Sequence, residues 1–370
     1  MLSSELTTVQ KLKISCLGRG IRISDDIKFR LSAGGKTPLS IHEYATTGGI
    51  TLKFGDEIYV NAPFDEWYCN NPDAELTVGS NDELQICFHG EYFSAKILPL
   101  PGFLGSRDSK GNPVIETVMS HADRIRLSPI YGCSFGCQFC DFVGKKYLRR
   151  PLEQVLEGYE IARQDQALPA RHTLISGGTP SQRDYDYIDT VYEKIIKNSP
   201  LPVDIMLAPR KDNIIDKLVD WGANGFSINL EVYDEEISSR VTPQKHRIGL
   251  ELFAKFIEHA VKRIGTNGKV RSLILVGLEP EEKTLQGVEF LARLGCDPVL
   301  SPFRPAPGTP LAGLQPPEPG LLEHVYLRSR EIVERYGVKL GPRCIPCQHN
   351  TLTLPDGSSA YYFSSDSNQL

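Results

Sequence analysis

Cys133, Cys137 and Cys140 put three thiols within eight residues at C-x3-C-x2-C spacing, with no fourth Cys or His close by in the sequence. Ordinary cubane iron–sulfur sites use four cysteines. Structural zinc sites also use four ligands, Cys or His at tight spacing. A run that stops at three suits a cluster with one iron left open for an exogenous ligand; a zinc knuckle or a chance group of thiols is the competing chemistry. Near the C-terminus, Cys344-Ile-Pro-Cys347-Gln-His349 offers half of a second metal site. Cys296, His349 or an N-terminal Cys could complete it as an auxiliary iron–sulfur cluster, and a pair of free or redox-active thiols is the alternative. Cys16, Cys69 and Cys87 stand in β-like segments, where buried core thiols are expected.

Other groups able to hold a ligand fall where apolar runs end. Ser176-Gly177-Gly178-Thr179-Pro180 follows one such run, and glycines there allow close backbone approach to a ligand. Ser227-Ile228-Asn229-Leu230-Glu231 ends another. In a strand, residues 227, 229 and 231 face the same way, and a buried Asn and Glu need hydrogen-bond partners such as a diol. Arg240 and Arg247 follow; a guanidinium suits bidentate capture of a carboxylate, and Arg240 is preferred. Ile274-Leu275-Val276-Gly277-Leu278-Glu279 and Ser301-Pro302-Phe303-Arg304-Pro305 close two further runs, with Arg304 a candidate anion contact for a substrate.

The elements that must position these residues are α/β. From about residue 123, apolar strand candidates (125–130, 173–176, 203–207, 225–230, 272–276 and 298–303) alternate with helical spacing. That spacing is seen at Leu152/Val155/Leu156/Tyr159, Ile188/Val191/Tyr192/Ile195, Leu250/Phe253/Ile257/Ala260 and Leu285/Val288/Ala292. Six β/α units imply a parallel sheet that partly closes into a (β/α)6 TIM-type barrel, with the cysteine loop after its first strand, where barrel enzymes place their chemistry. Residues 1–112 read as a mostly-β domain, with short runs at 21–23, 27–31, 50–54, 58–60 and 84–88, a Gly55-Asp56 hairpin turn and a Pro/Gly-rich linker at 98–113. The barrel occupies 113–315. Residues 316–370 form a C-terminal extension: a helix over 320–336, the C-x-x-C segment and a loosely ordered tail.

The 370 residues are 40% hydrophobic and 24% charged, with a net charge of -5, the composition of an ordinary soluble globular protein. The charge gives no reason to expect nucleic-acid binding. No apolar run reaches membrane-spanning length and no signal-peptide core is visible, so nine cysteines read as reduced thiols and metal ligands in a cytoplasmic, reducing compartment.

The cysteine spacing, with Phe139 just before the third Cys, resembles the cluster motif of the radical S-adenosylmethionine (SAM) superfamily. The later motifs, in the same order at successive strand ends, are similar to its biotin synthase-like members. The resemblance covers about residues 120–312. It implies a [4Fe-4S] cluster on Cys133, Cys137 and Cys140, with SAM chelating the open iron. It also implies SAM contacts at Phe139 (adenine), the backbone of Ser176, Gly177 and Gly178 (amino group), Asn229 and Glu231 (ribose), Arg240 (carboxylate), and Gly277 and Phe303 (adenine wall). Thr179 stands where the family has an acidic residue. The first glycine of the family's G-x-I-x-G-x-x-E element is absent.

The implied activity is reductive cleavage of SAM, with an electron from a flavodoxin or ferredoxin-type donor. A 5′-deoxyadenosyl radical then abstracts hydrogen from a small-molecule, carrier-bound or peptide substrate. C–S bond formation follows if Cys344 and Cys347 hold a second iron–sulfur cluster. The alternative is rearrangement, dehydrogenation or C–C bond formation without sulfur. A reading of another class is a non-catalytic protein whose cysteines hold zinc or meet a partner.

Overall fold

A computed structural model describes residues 5–40, 48–55, 57–212, 214–356 and 359. The first helix, α1 (Thr8–Arg19), starts at a capping box in which Thr7 and Gln10 satisfy each other's backbone N–H groups, and it buries Leu12, Ile14, Cys16 and Leu17. The sequence reading had no helix here. After β1 (Arg22–Ile23) comes α2 (Asp25–Leu31), over residues expected to be a strand. Ser24 caps α2 by accepting from the Ile27 N–H, and Asp25 and Asp26 stand in its positive first turn, so local capping overrides the strand-like alternation of Ile27, Phe29 and Leu31.

The strands β2 (Ile50–Phe54), β3 (Ile58–Ala62), β4 (Ala74–Val78), β5 (Leu84–Phe88) and β6 (Glu91–Ile97) join β1 in a six-stranded sheet of order β1-β4-β5-β6-β2-β3. It is antiparallel except where β1 pairs with β4. Asp56, half of the expected hairpin turn, lies outside the described residues.

The second sheet has seven strands in the order β15-β14-β13-β12-β11-β8-β7. The lead-in strand β7 (Val118–His121) is antiparallel to β8 (Arg124–Leu127). From β8 onward six strands run parallel: β11 (His172–Ile175), β12 (Val203–Met206), β13 (Gly225–Ser227), β14 (Val270–Val276) and β15 (Asp297–Pro302) complete the set. Helices α3 (Leu152–Arg163), α4 (Tyr185–Asn198), α5 (Ile214–Trp221), α6 (Glu235–Val241), α7 (Pro243–Ile248), α8 (Leu250–Ile264), α9 (Glu281–Arg293) and α10 (Pro319–Arg335) fill the crossovers and return. This is the partial (β/α)6 barrel expected from the alternation of apolar runs and helical spacing. The inward sides of α3, α4, α8 and α9 carry the residues expected to be apolar, among them Val155, Tyr159, Val191, Ile195, Phe253, Ile257 and Val288.

One buried apolar core runs through both sheets. Arg304, just past β15, joins them: it is buried and its guanidinium donates to Asn61 Oδ1 (2.9 Å), to Asn61 O (2.5 Å) and to Leu17 O (3.4 Å). It is a tie between barrel and N-terminal sheet, not an exposed anion contact. Beyond α10 the chain runs back along the edge strand β15, with Gly341 N–H donating to Pro298 O (2.8 Å) and Leu352 N–H to Leu300 O (2.8 Å). The buried Lys13 ammonium holds this return from α1, donating to Gln348 O (2.8 Å) and Thr353 O (2.5 Å). Most of the tail expected to be loosely ordered lies outside the described residues.

Candidate active site at the barrel mouth

The cysteine loop leaves the C-terminal end of β8 and is closed at its base by a short antiparallel ribbon, β9 (Ile130–Tyr131) with β10 (Leu148–Arg149). Within the loop, Cys133 Sγ accepts from the Phe135 N–H (3.3 Å) and from the Thr179 N–H (3.1 Å). The second of these comes from the Ser176–Thr179 turn after β11. Ser134 N–H donates back to Thr179 O (3.0 Å), so the two loops are stitched in both directions. Gly178 is needed for this seating: a Cβ there would fall 1.6 Å from Gly132 O. Gly177 has φ +97°, a left-handed conformation that a side chain would strain. The glycines therefore serve the cluster loop as well as leaving backbone open to a ligand.

Burial pushes the Cys140 thiol up to about 12 and the Cys137 thiol higher still. A metal cluster loaded there must displace those protons. Cys137 packs with Phe139 and Phe303 in a small buried apolar group, flanked by Phe135, Val241, Leu275, Leu278 and Leu311. The structure thus brings Phe139 and Phe303, both expected to lie along the SAM adenine, to Cys137. Gly277, at φ +102°, lies against Pro317 at the end of β14. Glu279 is turned away from the mouth to hold the loop after β13, accepting at Oε2 from the N–H groups of Tyr233 (2.9 Å) and Asp234 (2.7 Å).

Past β13 the strand alternation expected to carry residues 227, 229 and 231 stops at Ser227. Asn229 Oδ1 accepts from Ser227 Oγ (2.8 Å) and from the Leu273 N–H (3.3 Å). Glu231 sits at φ +71°, a costly conformation for a residue with a Cβ and one that clusters at functional sites. It is pinned on both sides by β14, its N–H donating to Leu273 O (2.7 Å) and its carbonyl accepting from Leu275 (2.9 Å).

The cation beside this pair is Lys245, which the sequence reading missed. Its Nζ donates to Asn229 O (2.6 Å) and stands 2.8 Å from Glu231 Oε2 as an ion pair, without the alignment of a hydrogen bond. Arg240, expected in that role, points to solvent and pairs with Glu236 at 3.4 Å across one helical turn; Arg247 is exposed as well. The displacement has a local cause. Pro243 starts a new helix, α7, right after α6, so Gln244 and Lys245 turn inward. Gln244 Oε1 accepts from the Gly136 N–H (2.8 Å), fixing the cysteine loop from its other side.

Beside the cysteine loop a cleft of about 480 Å³ opens between β7, β9 and Phe142, Lys145 and Leu148. It offers mixed apolar and cationic walls, including Met119, Tyr131 and Arg150.

Cys344 and Cys347 are not at this mouth. They lie at the opposite end of the barrel, buried beside Asp123, which precedes β8, and His172, which opens β11. Neither Cys296 nor His349 completes that group. Cys296 Sγ faces the Asp297 carbonyl at 3.8 Å. His349 Nδ1 bonds Pro346 O (2.8 Å), and its ring stacks on His121 at 4.4 Å. Cys16 is buried in α1, and Cys69 and Cys87 are half-buried.

Residues 127–291 match the family model of the radical SAM superfamily, a span that holds the cysteine loop and the ends of β8, β11, β12, β13 and β14. That stretch is similar to the domain of the radical SAM enzymes, a superfamily whose members use SAM and a [4Fe-4S] cluster. Among curated relatives it is 27% identical over 263 residues to bacteriochlorophyllide c C-7(1)-hydroxylase of Chlorobaculum limnaeum, covering 62% of this chain and 64% of that protein. It is 25% identical over 174 residues to a probable GTP 3′,8-cyclase of Thermococcus kodakarensis, covering 46% and 53%. The matches thus span less than two thirds of either relative's length. Among solved structures, a radical SAM methyltransferase from Sphaerobacter thermophilus superposes with a TM-score of 0.46 at 15% identity, covering 73% of this chain and 76% of that one.

The residues present fit the family's cluster. Three thiols share one loop, and they lie close enough for the charge of Cys133 to act on both Cys137 and Cys140. The loop is held from both sides by backbone hydrogen bonds that do not consume the thiols of Cys137 and Cys140.

Proposed function

We propose that this chain binds a [4Fe-4S] cluster through Cys133, Cys137 and Cys140, cleaves SAM reductively, and modifies its substrate by hydrogen abstraction without inserting sulfur. The observation that carries the reading is the junction of Cys133 Sγ with the Thr179 N–H at 3.1 Å, which fastens the three-thiol loop to the Gly-Gly turn. When bound, the cluster and SAM supply one-electron cleavage of the sulfonium and a 5′-deoxyadenosyl radical able to take an unactivated hydrogen.

The protein's own part is positioning and exclusion of water. The carbonyls of Ser176, Gly177 and Gly178 are offered to the SAM amino group, and Asn229 and Glu231 to the ribose. Phe139, Gly277 and Phe303 form the adenine wall. Lys245 replaces Arg240 as the cation available to the SAM carboxylate. Substrate would enter from the cleft beside Tyr131 and Phe142, and a flavodoxin or ferredoxin-type protein would supply the electron. No helix of the described residues is long and apolar enough to cross a membrane, in keeping with a cytoplasmic site of action.

Sulfur insertion is the weaker reading, because the C-x-x-C pair that was its expected donor lies beyond the far ends of the strands. A four-residue strand such as β11 alone separates the two ends by roughly 10 Å. The hydroxylase and the cyclase among the curated relatives likewise name reactions without sulfur insertion, and neither is a biotin synthase.

The test is anaerobic incubation of reconstituted protein with SAM and dithionite, with 5′-deoxyadenosine measured by chromatography. Wild type should form it and the Cys133→Ala, Cys137→Ala and Cys140→Ala variants should not. Formation by any of these variants at the wild-type rate would refute the cluster assignment.

A further inference from the structure

Asp123, His172, Cys344 and Cys347 are buried together on the floor of the barrel, with one donor atom from each lying within 4.8 Å of all the others. Five of the six donor–donor distances are these: His172 Nε2 to Cys347 Sγ, 3.2 Å; His172 Nε2 to Cys344 Sγ, 3.9 Å; Cys344 Sγ to Asp123 Oδ1, 3.6 Å; Cys347 Sγ to Asp123 Oδ1, 3.7 Å; and His172 Nε2 to Asp123 Oδ1, 3.5 Å. A tetrahedral shell with bonds of about 2.0–2.3 Å has edges of about 3.3–3.8 Å. The four donors therefore stand at the corners of a single ion's coordination shell.

We propose that this group is a structural site for one divalent zinc-class ion that fastens the C-terminal return segment to the floor of the barrel. The donor chemistry selects the metal. Two thiolates, an imidazole and a carboxylate in tetrahedral array suit zinc, whereas iron–sulfur clusters draw on three thiolates with an open iron, as at the mouth, on four thiolates, or on two thiolates and two imidazoles spread over two irons. A cube or a two-iron rhomb would also hold its ligands farther apart than these are. The site is closed, with all four residues buried, which marks a structural role rather than a catalytic one.

Support around the donors agrees. The Arg171 guanidinium lies 3.8 Å from Asp123 Oδ2, a cation next to a site whose net charge with a divalent ion, two thiolates and the Asp123 carboxylate would be negative. Arg171 N–H also donates to Asp123 O (2.8 Å), tying the approach to β11 to the residue before β8. Cys347 arrives on a short 3-10 turn, Pro346–Asn350, that the return segment carries to the floor, and Cys344 lies just before that turn. Binding displaces the thiol protons to solvent, and no oxidant or reductant is involved.

The experiment uses the full chain, purified anaerobically without iron reconstitution from cells grown with zinc, and analysed for metals by mass spectrometry. The wild type should hold about one zinc per chain, and so should the Cys133→Ala/Cys137→Ala/Cys140→Ala triple variant, which lacks the mouth thiols. Cys344→Ala/Cys347→Ala should lose it at least tenfold. Cobalt(II) added to the metal-stripped triple variant should give the strong visible absorption of a tetrahedral thiolate site. The triple variant decides alone if the double variant does not fold. Iron and sulfide in place of zinc in that variant, no zinc and no cobalt spectrum, or a Cys344–Cys347 disulfide by peptide mapping would each overturn the proposal. None of these readouts depends on SAM cleavage, so the floor site and the mouth chemistry can fail separately.

Discussion

Lys245 Nζ stands 2.8 Å from Glu231 Oε2 while donating to the Asn229 carbonyl at 2.6 Å, so one ammonium holds both polar residues of the loop after β13. Both side chains are largely buried, at 10% and 15% exposure. Removing one partner leaves the other charge poorly solvated. Lys245→Met should therefore weaken SAM binding by about 1–3 kcal/mol, the usual loss when a buried polar partner is removed. Asn229→Ala and Glu231→Ala should lose similar amounts. Arg240→Ala should leave SAM affinity within experimental error, because its partner is a surface Glu236. Equilibrium dialysis of reconstituted protein with labelled SAM measures all four, and a loss confined to Arg240→Ala would reverse the assignment.

Gly178→Ala should cost the protein its cluster rather than its fold. A Cβ at 1.6 Å from Gly132 O forces the two loops apart and removes the Thr179 N–H from Cys133. Iron bound after reconstitution should fall well below the wild-type value, while the thermal unfolding midpoint of the apoprotein changes little. Wild-type iron content in Gly178→Ala would show that the loops need not touch.

Arg304→Met should destabilise the protein without altering SAM cleavage by the fraction that remains folded. The substitution strands Asn61 O, Asn61 Oδ1 and Leu17 O at the seam between the sheets, and each unsatisfied buried acceptor costs about 1–3 kcal/mol. Chemical denaturation supplies the first quantity and 5′-deoxyadenosine formation the second. Unchanged stability would count against the tie.

Lys13 gives the stability a pH dependence of known sign. Burial pulls its ammonium down to about 7 from an ordinary value of 10.5. Between those values the unfolded chain binds the proton that the folded chain has lost, so this group's contribution to stability rises with pH across that window. Below about pH 7 both states are protonated, and the cost of the buried charge is constant. The full change amounts to about 4–5 kcal/mol. Denaturant midpoints from pH 7 to pH 10 should climb less steeply in Lys13→Met than in the wild type. Parallel slopes would mean that Lys13 keeps its proton throughout.

The parts legible in the sequence were those carried by contiguous residues. The three-thiol loop, the Gly-Gly turn and the six apolar runs each declare themselves within ten positions, and the barrel follows from their order. The α2 segment misled because Ile27, Phe29 and Leu31 alternate like a strand, while the Ser24 cap that decides its conformation lies outside the run. Lys245 was hidden for a different reason. Arg240, Lys245 and Arg247 look alike on a helical stretch, and only the new start at Pro243 turns Lys245 inward. The floor site was half visible. Cys344 and Cys347 stood out as a pair, but Asp123 is 221 positions from Cys344 and His172 is 175 from Cys347. Only the side-by-side pairing of β8 with β11 brings those two together.

The central claim is that an iron left open by three cysteines receives SAM at the barrel mouth. Its most direct test is the low-temperature electron paramagnetic resonance spectrum of the dithionite-reduced, reconstituted protein, recorded before and after addition of SAM. To exclude any signal from the barrel floor, the measurement is made on the Cys344→Ala/Cys347→Ala variant as well as on the wild type. The expected result is a reduced-cluster signal that shifts on SAM addition in both proteins and is absent from Cys137→Ala. A signal indifferent to SAM, or one that survives in Cys137→Ala, would contradict the account.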